Sequence, residues 1–404
     1  MLGEAVIGAA QEVLPTMVDL RRRLHRHPEL GLDLPYTQSQ VLETIENLGL
    51  RIEVGKGLSS VIADLDTGRP GPTILLRGDM DALPMPEDTG LEFASEVENR
   101  MHACGHDAHT AMLAGAAHVL AGLRETLSGR IRFMFQPGEE GSGGAAIMVE
   151  QDALDGVDAA FALHVAPNVP DGIFGWKQGP ALASADEFEI IVTGRGGHAS
   201  TPHWAADPTP AAAEIVLALQ AMVTRQIDVF DPAIVTVTML QGGTVNNVIP
   251  EHVKLGGTIR AVSERTRHAV WENMRRTVDG VVAAHGLSAE VVIHQGYPVT
   301  VNNPEFARWA ASVADTTFGL GHTYEMTSPL MGAEDFSYVL QKVPGAMFFL
   351  GACPPENPNP FDAPSCHSNR MMLHEGSMAT GTALHVAVAV SYLNAGGDLN
   401  APIG

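Results

Sequence analysis

Thr73–Pro84 reads TILLRGDMDALP. An apolar run that ends at a charge and opens into a polar loop has the pattern of a strand buried on both faces. Here the run stops at Arg77, and the loop beyond it holds Asp79 and Asp81. The design recurs in GRIRFMFQPGEEG (Gly129–Gly141), whose loop carries Glu139 and Glu140. It recurs in DAAFALHVAP (Asp158–Pro167), ending on His164, and in GAMFFLGACPP (Gly345–Pro355). Helical patterns such as HTAMLAGAAHVLAGL (His109–Leu123) lie between these segments. Strand, polar loop and helix in alternation predict an α/β fold with a sheet covered by helices on both faces. In open α/β sheets ligands gather at the carboxyl ends of strands, so the Asp79, Glu139 and His164 loops are expected to converge.

Between about Ala185 and Val299 the rhythm changes to β-α-β-β-α-β, the order of a ferredoxin-like unit. This predicts an inserted α+β domain at 185–298 within a first domain made of 1–184 and 299–404, with hinges in KQGPALAS and TVNNP. A length of 404 residues suits two domains. A net charge of −23 argues against nucleic acid or an anionic membrane as partner, since both select clustered Lys and Arg. Three cysteines, at 104, 353 and 366, are too few and too uneven for a disulfide framework and fit a reducing compartment. The opening MLGEAVIGAAQEVLP lacks the basic start of a secretory signal, and no apolar run is long enough to span a bilayer. A soluble cytoplasmic protein is expected.

MHACGHDAHT (Met101–Thr110) places Cys104 and His106 at a predicted helix start. Thiolate and imidazole both bind zinc-like metals, but two donors alone equally describe a buried cysteine beside a satisfied histidine. In QPGEEG one glutamate can bind metal while its neighbour takes a proton from water; the alternative is a solvated acidic turn. Asp79 and Asp81 can orient a histidine ligand or cap a turn. His164 at a strand end, and His367 after Cys366 in PSCHSN, can be ligands or a core and an exposed histidine. Together, one Cys, one Glu and three His on strand ends and helix starts of one sheet could hold one or two metals with a water position open. A Cys104 nucleophile with His106 as base is a rival, but it leaves the Glu pair and His367 unused. In the inserted segment, GRGGHASTPH presents His198 on a sharp loop, GGTVNNVIP offers Asn246 and Asn247, and GGTIR ends in Arg260. These can bind a substrate carboxylate and amide, or serve only as hairpin turns.

These motifs, with LRRRLHRHPELG (Leu20–Gly31), GAEDFS (Gly332–Ser337) and CHS (Cys366–Ser368), resemble the metallo-aminoacylase and carboxypeptidase family. The likeness covers nearly the whole chain. It is greatest to the branch with hippurate hydrolase and the plant hydrolases of indole-acetyl amino acids. The resemblance implies a metallopeptidase-like catalytic domain, with a mixed sheet flanked by helices, and an inserted dimerisation domain. It implies Cys104, His106, Glu140, His164 and His367 as ligands of a divalent metal, two per chain (zinc, manganese, cobalt or nickel). Glu139 would be the general base and Asp81 its neighbour behind the ligands. His198 would reach into the partner subunit's site, with Asn247 and Arg260 touching substrate. The implied activity is hydrolysis of N-acyl amino acids by a homodimer or dimer of dimers. A dipeptidase or carboxypeptidase, or a non-catalytic metal or amino-acid binding protein, are the alternatives. The branch departs from its wider family at Asp79, where others carry a histidine ligand, and at Cys104, where others carry a bridging aspartate. His106 takes over from the lost histidine.

Overall fold

Eight strands form the sheet of the first folding unit, in the spatial order Arg51–Val54, Val61–Asp66, Arg130–Gln136, Thr73–Asp79, Ala159–Ala166, Gly345–Gly351, Phe174–Trp176 and Thr323–Glu325. The four central strands are parallel, and antiparallel pairs flank them on both sides. The sheet is therefore mixed. Every residue of Thr73–Asp79 and of Gly345–Gly351 is buried, which is why these segments read as continuous apolar runs. The computed structural model describes residues 2–403.

Two strand ends differ from the sequence reading. The first strand does not stop at Arg77 but continues to Asp79, which pairs with Gln136 across the parallel ladder. Arg77 Nη1 lies 2.6 Å from Asp79 Oδ2, and both side chains are fully buried. The two charges satisfy each other inside the strand, so the first charge does not end it. His164 likewise is not a strand terminus; its strand runs on to Ala166.

Helices Leu2–Arg26, His106–Gly122 and Ser377–Asn394 pack on one another, and the last two lie against the central strands. His106–Gly122 and Ser377–Asn394 are buried almost all round, as their continuous Ala, Gly, Val and Leu content demands. Phe133, Phe161, Phe306 and Phe348 are fully buried with Leu20 and Leu24 in this core. Each such side chain contributes about 1.5–3 kcal/mol relative to an exposed one.

The second unit comprises Leu182–Thr300 with Pro329–Glu334, and the first comprises the remainder. The short segment Pro329–Glu334, which the sequence reading left in the first domain, groups here because Leu330 bridges to Leu182 and accepts a backbone bond from Ala183 (2.9 Å). An antiparallel sheet in the order Ala233–Gly242, His252–Ala261, Asp186–Thr193, Ser288–Gln295 carries helices Pro208–Gln226 and Glu264–Ala284. Buried Asp186 ties it together, accepting from Arg267 (2.5 Å), Trp271 Nε1 (3.0 Å) and Gly296 N (3.1 Å). Ala233–Gly242 is an edge strand, and Ile234, Met239 and Leu240 on it are exposed. Among the described residues, no helix is long and apolar enough to cross a membrane.

Candidate metal centre

The carboxyl ends of Thr73–Asp79, Arg130–Gln136 and Ala159–Ala166 meet the start of helix His106–Gly122. Gly105, directly before that helix, has φ +84°. A Cβ at Gly105 would stand 2.4 Å from Val165 Cγ2, so only glycine lets the helix begin this close to the sheet. Cys104 Sγ consequently lies 3.4 Å from His164 Nε2. His164 Nδ1 donates to Val165 O (2.8 Å), which leaves the Nε2 lone pair on the side of the sulfur.

The loop after Pro364 is stapled alongside, with His367 N donating to Ala103 O (2.8 Å). His367 holds φ +68°, a strained value for a side chain that is not glycine. Its Nε2 reaches 3.2 Å from Glu140 Oε1. Asp81 fixes the Glu-Glu turn, accepting from Glu139 N (2.8 Å) and Glu140 N (3.0 Å). Its Oδ1 also stands 3.6 Å from His106 Nδ1. His106 Nε2 is 3.5 Å from Asp79 Oδ2 and 4.0 Å from Glu139 Oε2.

Charge in this region is lopsided. Burial opposes protonation of His106, yet Asp79 and Asp81 override it and raise its pKa well above the usual imidazole range. The Cys104 thiol donates a hydrogen bond to the Cys366 sulfur, and this, then burial, then Glu140 and Glu139, push it well above its usual value, while accepting that bond draws Cys366 down to about 6. Burial opposes ionisation of Glu140, and His367 and His106 hold it below the usual carboxylate range. Around His106 the carboxylates of Asp79 and Asp81 favour added positive charge.

A divalent cation fits this demand. Both ring nitrogens of His106 are buried without a hydrogen-bond partner, which costs about 1–3 kcal/mol per group unless something else binds them. Donor atoms of Cys104, His106 and His164 lie within 4.8 Å of one another, as do those of Cys104, Glu140 and His367, and those of His106, Glu139 and Glu140. Cys104 belongs to two of these groups. The donors mix soft sulfur, imidazole and hard carboxylate, a set suited to zinc and its first-row neighbours. The grouping Asp79, His106 and His109 is a poorer candidate, because the Arg77 guanidinium against Asp79 repels a cation there.

Behind the cluster lies a buried ionic network with no counterpart in the sequence reading. Arg77 donates to Asp79 (2.6 Å), Gln136 (2.9 Å) and Asp335 (3.1 Å). Asp335 also accepts from Gln136 Nε2 (2.8 Å) and Ala145 N (2.9 Å). His109 accepts from Val165 N (2.9 Å) at Nε2, so its proton sits on Nδ1, 2.6 Å from Asp79. Burial draws its pKa down to about 4, in keeping with this neutral form. Arg77 was detectable as a charge inside an apolar strand, which requires a buried counter-charge; Asp79 and the Asp335 of GAEDFS supply it.

Cys104, His106, Glu139, Glu140, His164, His367 and Asp81 thus come together in the first unit. His198, Asn247 and Arg260 belong to the second. His198 is exposed on the short strand Gly197–His198, paired with Val248–Ile249, and its Nδ1 accepts from Ser200 N (3.1 Å). Ala199 N donates to Asn247 O (3.0 Å), and Arg260 is half-buried opposite Ile234.

Soft and hard donors around a buried carboxylate define a metal-dependent hydrolase. Residues 75–391 match the model of peptidase family M20/M25/M40, and the chain belongs to that family. It is 39% identical to Thermostable carboxypeptidase 1 of Saccharolobus solfataricus, over 97% of this chain and 99% of the relative. It is 40% identical to N-acetylcysteine deacetylase of Bacillus subtilis, over 83% and 88%. To IAA-amino acid hydrolase ILR1-like 2 of Arabidopsis thaliana it is 37% identical, over 95% and 86%. Among solved structures, the Bacillus subtilis YXEP protein, described as a dinuclear metal binding peptidase from the M20 family, superposes with a TM-score of 0.82 at 34% identity, covering 95% of this chain and 99% of that one. The chain is a metal-dependent amidohydrolase of the amidohydrolase branch, and its fold is that of the family.

Proposed function

We propose that the chain cleaves the amide bond of N-acyl amino acids to a carboxylic acid and a free amino acid. The observation that carries this reading is the cluster of Cys104, His106, His164, Glu140 and His367 donors with Glu139 buried beside it. These five side chains would hold two divalent ions, zinc, manganese, cobalt or nickel, with Cys104 shared between the positions. Bound there, a divalent ion supplies Lewis-acid polarisation of the acyl carbonyl and makes the attacking water more acidic. Glu139 takes the proton from that water and returns it to the leaving nitrogen. Asp81 keeps Glu139 and Glu140 in place through their backbone N–H groups. His198, contributed by a partner copy, stabilises the developing oxyanion. Asn247 and Arg260 bind the substrate amide and carboxylate. The active form is then a homodimer or a dimer of dimers. Three free cysteines support a cytoplasmic location.

A second reading, carboxypeptidase activity, is favoured by the 39% identity to Thermostable carboxypeptidase 1. The bond broken is the same, and only the acyl half differs.

The test is to quantify metal per chain, strip it, and add zinc, manganese, cobalt and nickel back singly. Turnover is then followed on N-acetyl, N-benzoyl and indole-acetyl amino acids and on N-blocked dipeptides. Metal-restored hydrolysis of the simple acyl compounds supports the first reading, and preference for dipeptides the second. Full activity in stripped protein overturns both.

A further inference from the structure

Cys366 is a thiol beside this cluster to which the proposed reaction gives no role. Its Sγ lies 3.9 Å from Cys104 O and 3.8 Å from Val165 O. The bond from His367 N to Ala103 O (2.8 Å) already fixes the two backbone segments side by side, although 262 residues separate the cysteines. The Cys366 sulfur thus lies against the backbone of Cys104, and the sulfurs are joined if rotation of the two side chains reaches disulfide geometry. Cys366 is half-buried and within reach of solvent, whereas Cys104 is buried. Cys353, the remaining cysteine, is buried and bonded to Pro354 O (3.5 Å).

We propose that Cys104 and Cys366 form a reversible intramolecular disulfide when the centre lacks its metal, with a hydroperoxide as oxidant, and that this disulfide blocks metal uptake. The blocking half rests on the reading of Cys104 as a ligand. The Cys366 sulfur attacks one peroxide oxygen, the O–O bond breaks, and water leaves with the thiol proton, giving a sulfenic acid. The Cys104 sulfur then attacks that sulfur, the S–O bond breaks, and a second water carries off the Cys104 proton. Two thiols lose two electrons and one hydrogen peroxide becomes two waters. Metal on Cys104 ties up its sulfur and prevents the second step. Transient disulfides of this kind are the sort that a reducing compartment reverses.

The test uses the full chain, metal-loaded and chelator-stripped, each treated with hydrogen peroxide. In stripped protein, titratable thiols under denaturing conditions fall from the three cysteines to Cys353 alone. A non-reduced digest contains a Cys104–Cys366 peptide pair, two hydrogens lighter than the separate peptides. Metal uptake by the oxidised protein, read by calorimetry, falls at least about tenfold and returns with dithiothreitol. Metal-loaded protein resists, and C366S and C366A take up metal normally and show no reversible loss. Absence of the 104–366 peptide pair overturns the proposal while leaving Cys104 as a ligand. So does a C366S or C366A protein that still loses and regains metal uptake. A cross-link that forms without affecting metal uptake overturns the blocking step and counts against Cys104 as a ligand.

Discussion

Replacing Arg77 by methionine keeps an apolar stem in the strand and removes its charge. Arg77, Asp79 and Asp335 are fully buried, with Arg77 at 2.6 Å and 3.1 Å from the two carboxylates. Burial alone would keep Asp79 neutral; Arg77, with His106 and His109, instead holds its pKa well below the usual carboxylate range. Without the guanidinium, two carboxylates remain in the interior around Gln136. Breaking a buried pair from one side costs about 3–5 kcal/mol. For a unit of this size, that lowers the melting temperature by on the order of 10 °C. Asp79 also faces His106, so R77M loosens a proposed ligand, and metal affinity of stripped protein should fall roughly 10–100-fold. Adding D335N should recover part of the stability, because it removes one uncompensated charge. Differential scanning calorimetry and metal titration measure both effects. An R77M protein with unchanged melting temperature and metal affinity would refute the view that this network supports the centre.

E139Q should bind metal like the unaltered protein and lose about 10²–10⁴-fold in turnover, checked by metal titration beside steady-state kinetics. Mixing H198A with E139Q subunits should restore part of the activity missing from each parent, if His198 works in the partner's site; no recovery after verified subunit exchange counts against a shared site. Burial opposes protonation of His25, but Asp107 (2.8 Å) and Glu87 (3.2 Å) override it and raise its pKa. Its contribution is therefore full below the unfolded value of about 6.5 and fades as pH rises through the higher folded value. The stability gap between the unaltered protein and H25Q, measured by thermal melts from about pH 5.5 to about pH 9, should narrow with rising pH.

The sequence made the central sheet legible because strands buried on both faces need apolar residues at every position, as in TILL and GAMFFL. The donor-bearing loops were legible because chemistry collects where such strands end. The second sheet was legible as a β-α-β-β-α-β order, and its strand Asp186–Thr193 buries alternate residues. Contacts between distant residues left no periodic trace. Arg77 and Asp335 are 258 positions apart, and nothing local to either names the other. The Arg77–Asp79 pair, in turn, carried the strand past the charge where an apolar pattern would end it. Gly105 stood in plain view within MHACGHDAHT, but the close approach of Val165, which leaves no room for a Cβ there, exists only in the folded chain.

The exposed edge Ala233–Gly242 bears on how the protein is handled. Its ten residues offer a row of unpaired backbone groups beside Ile234, Met239 and Leu240. Such a row is a template for strand addition by any extended chain that meets it. Preparations in which this edge stays uncovered should therefore be prone to fibrous precipitation. A lysine at position 239 or a proline within the strand would be the first change to make before concentrating them.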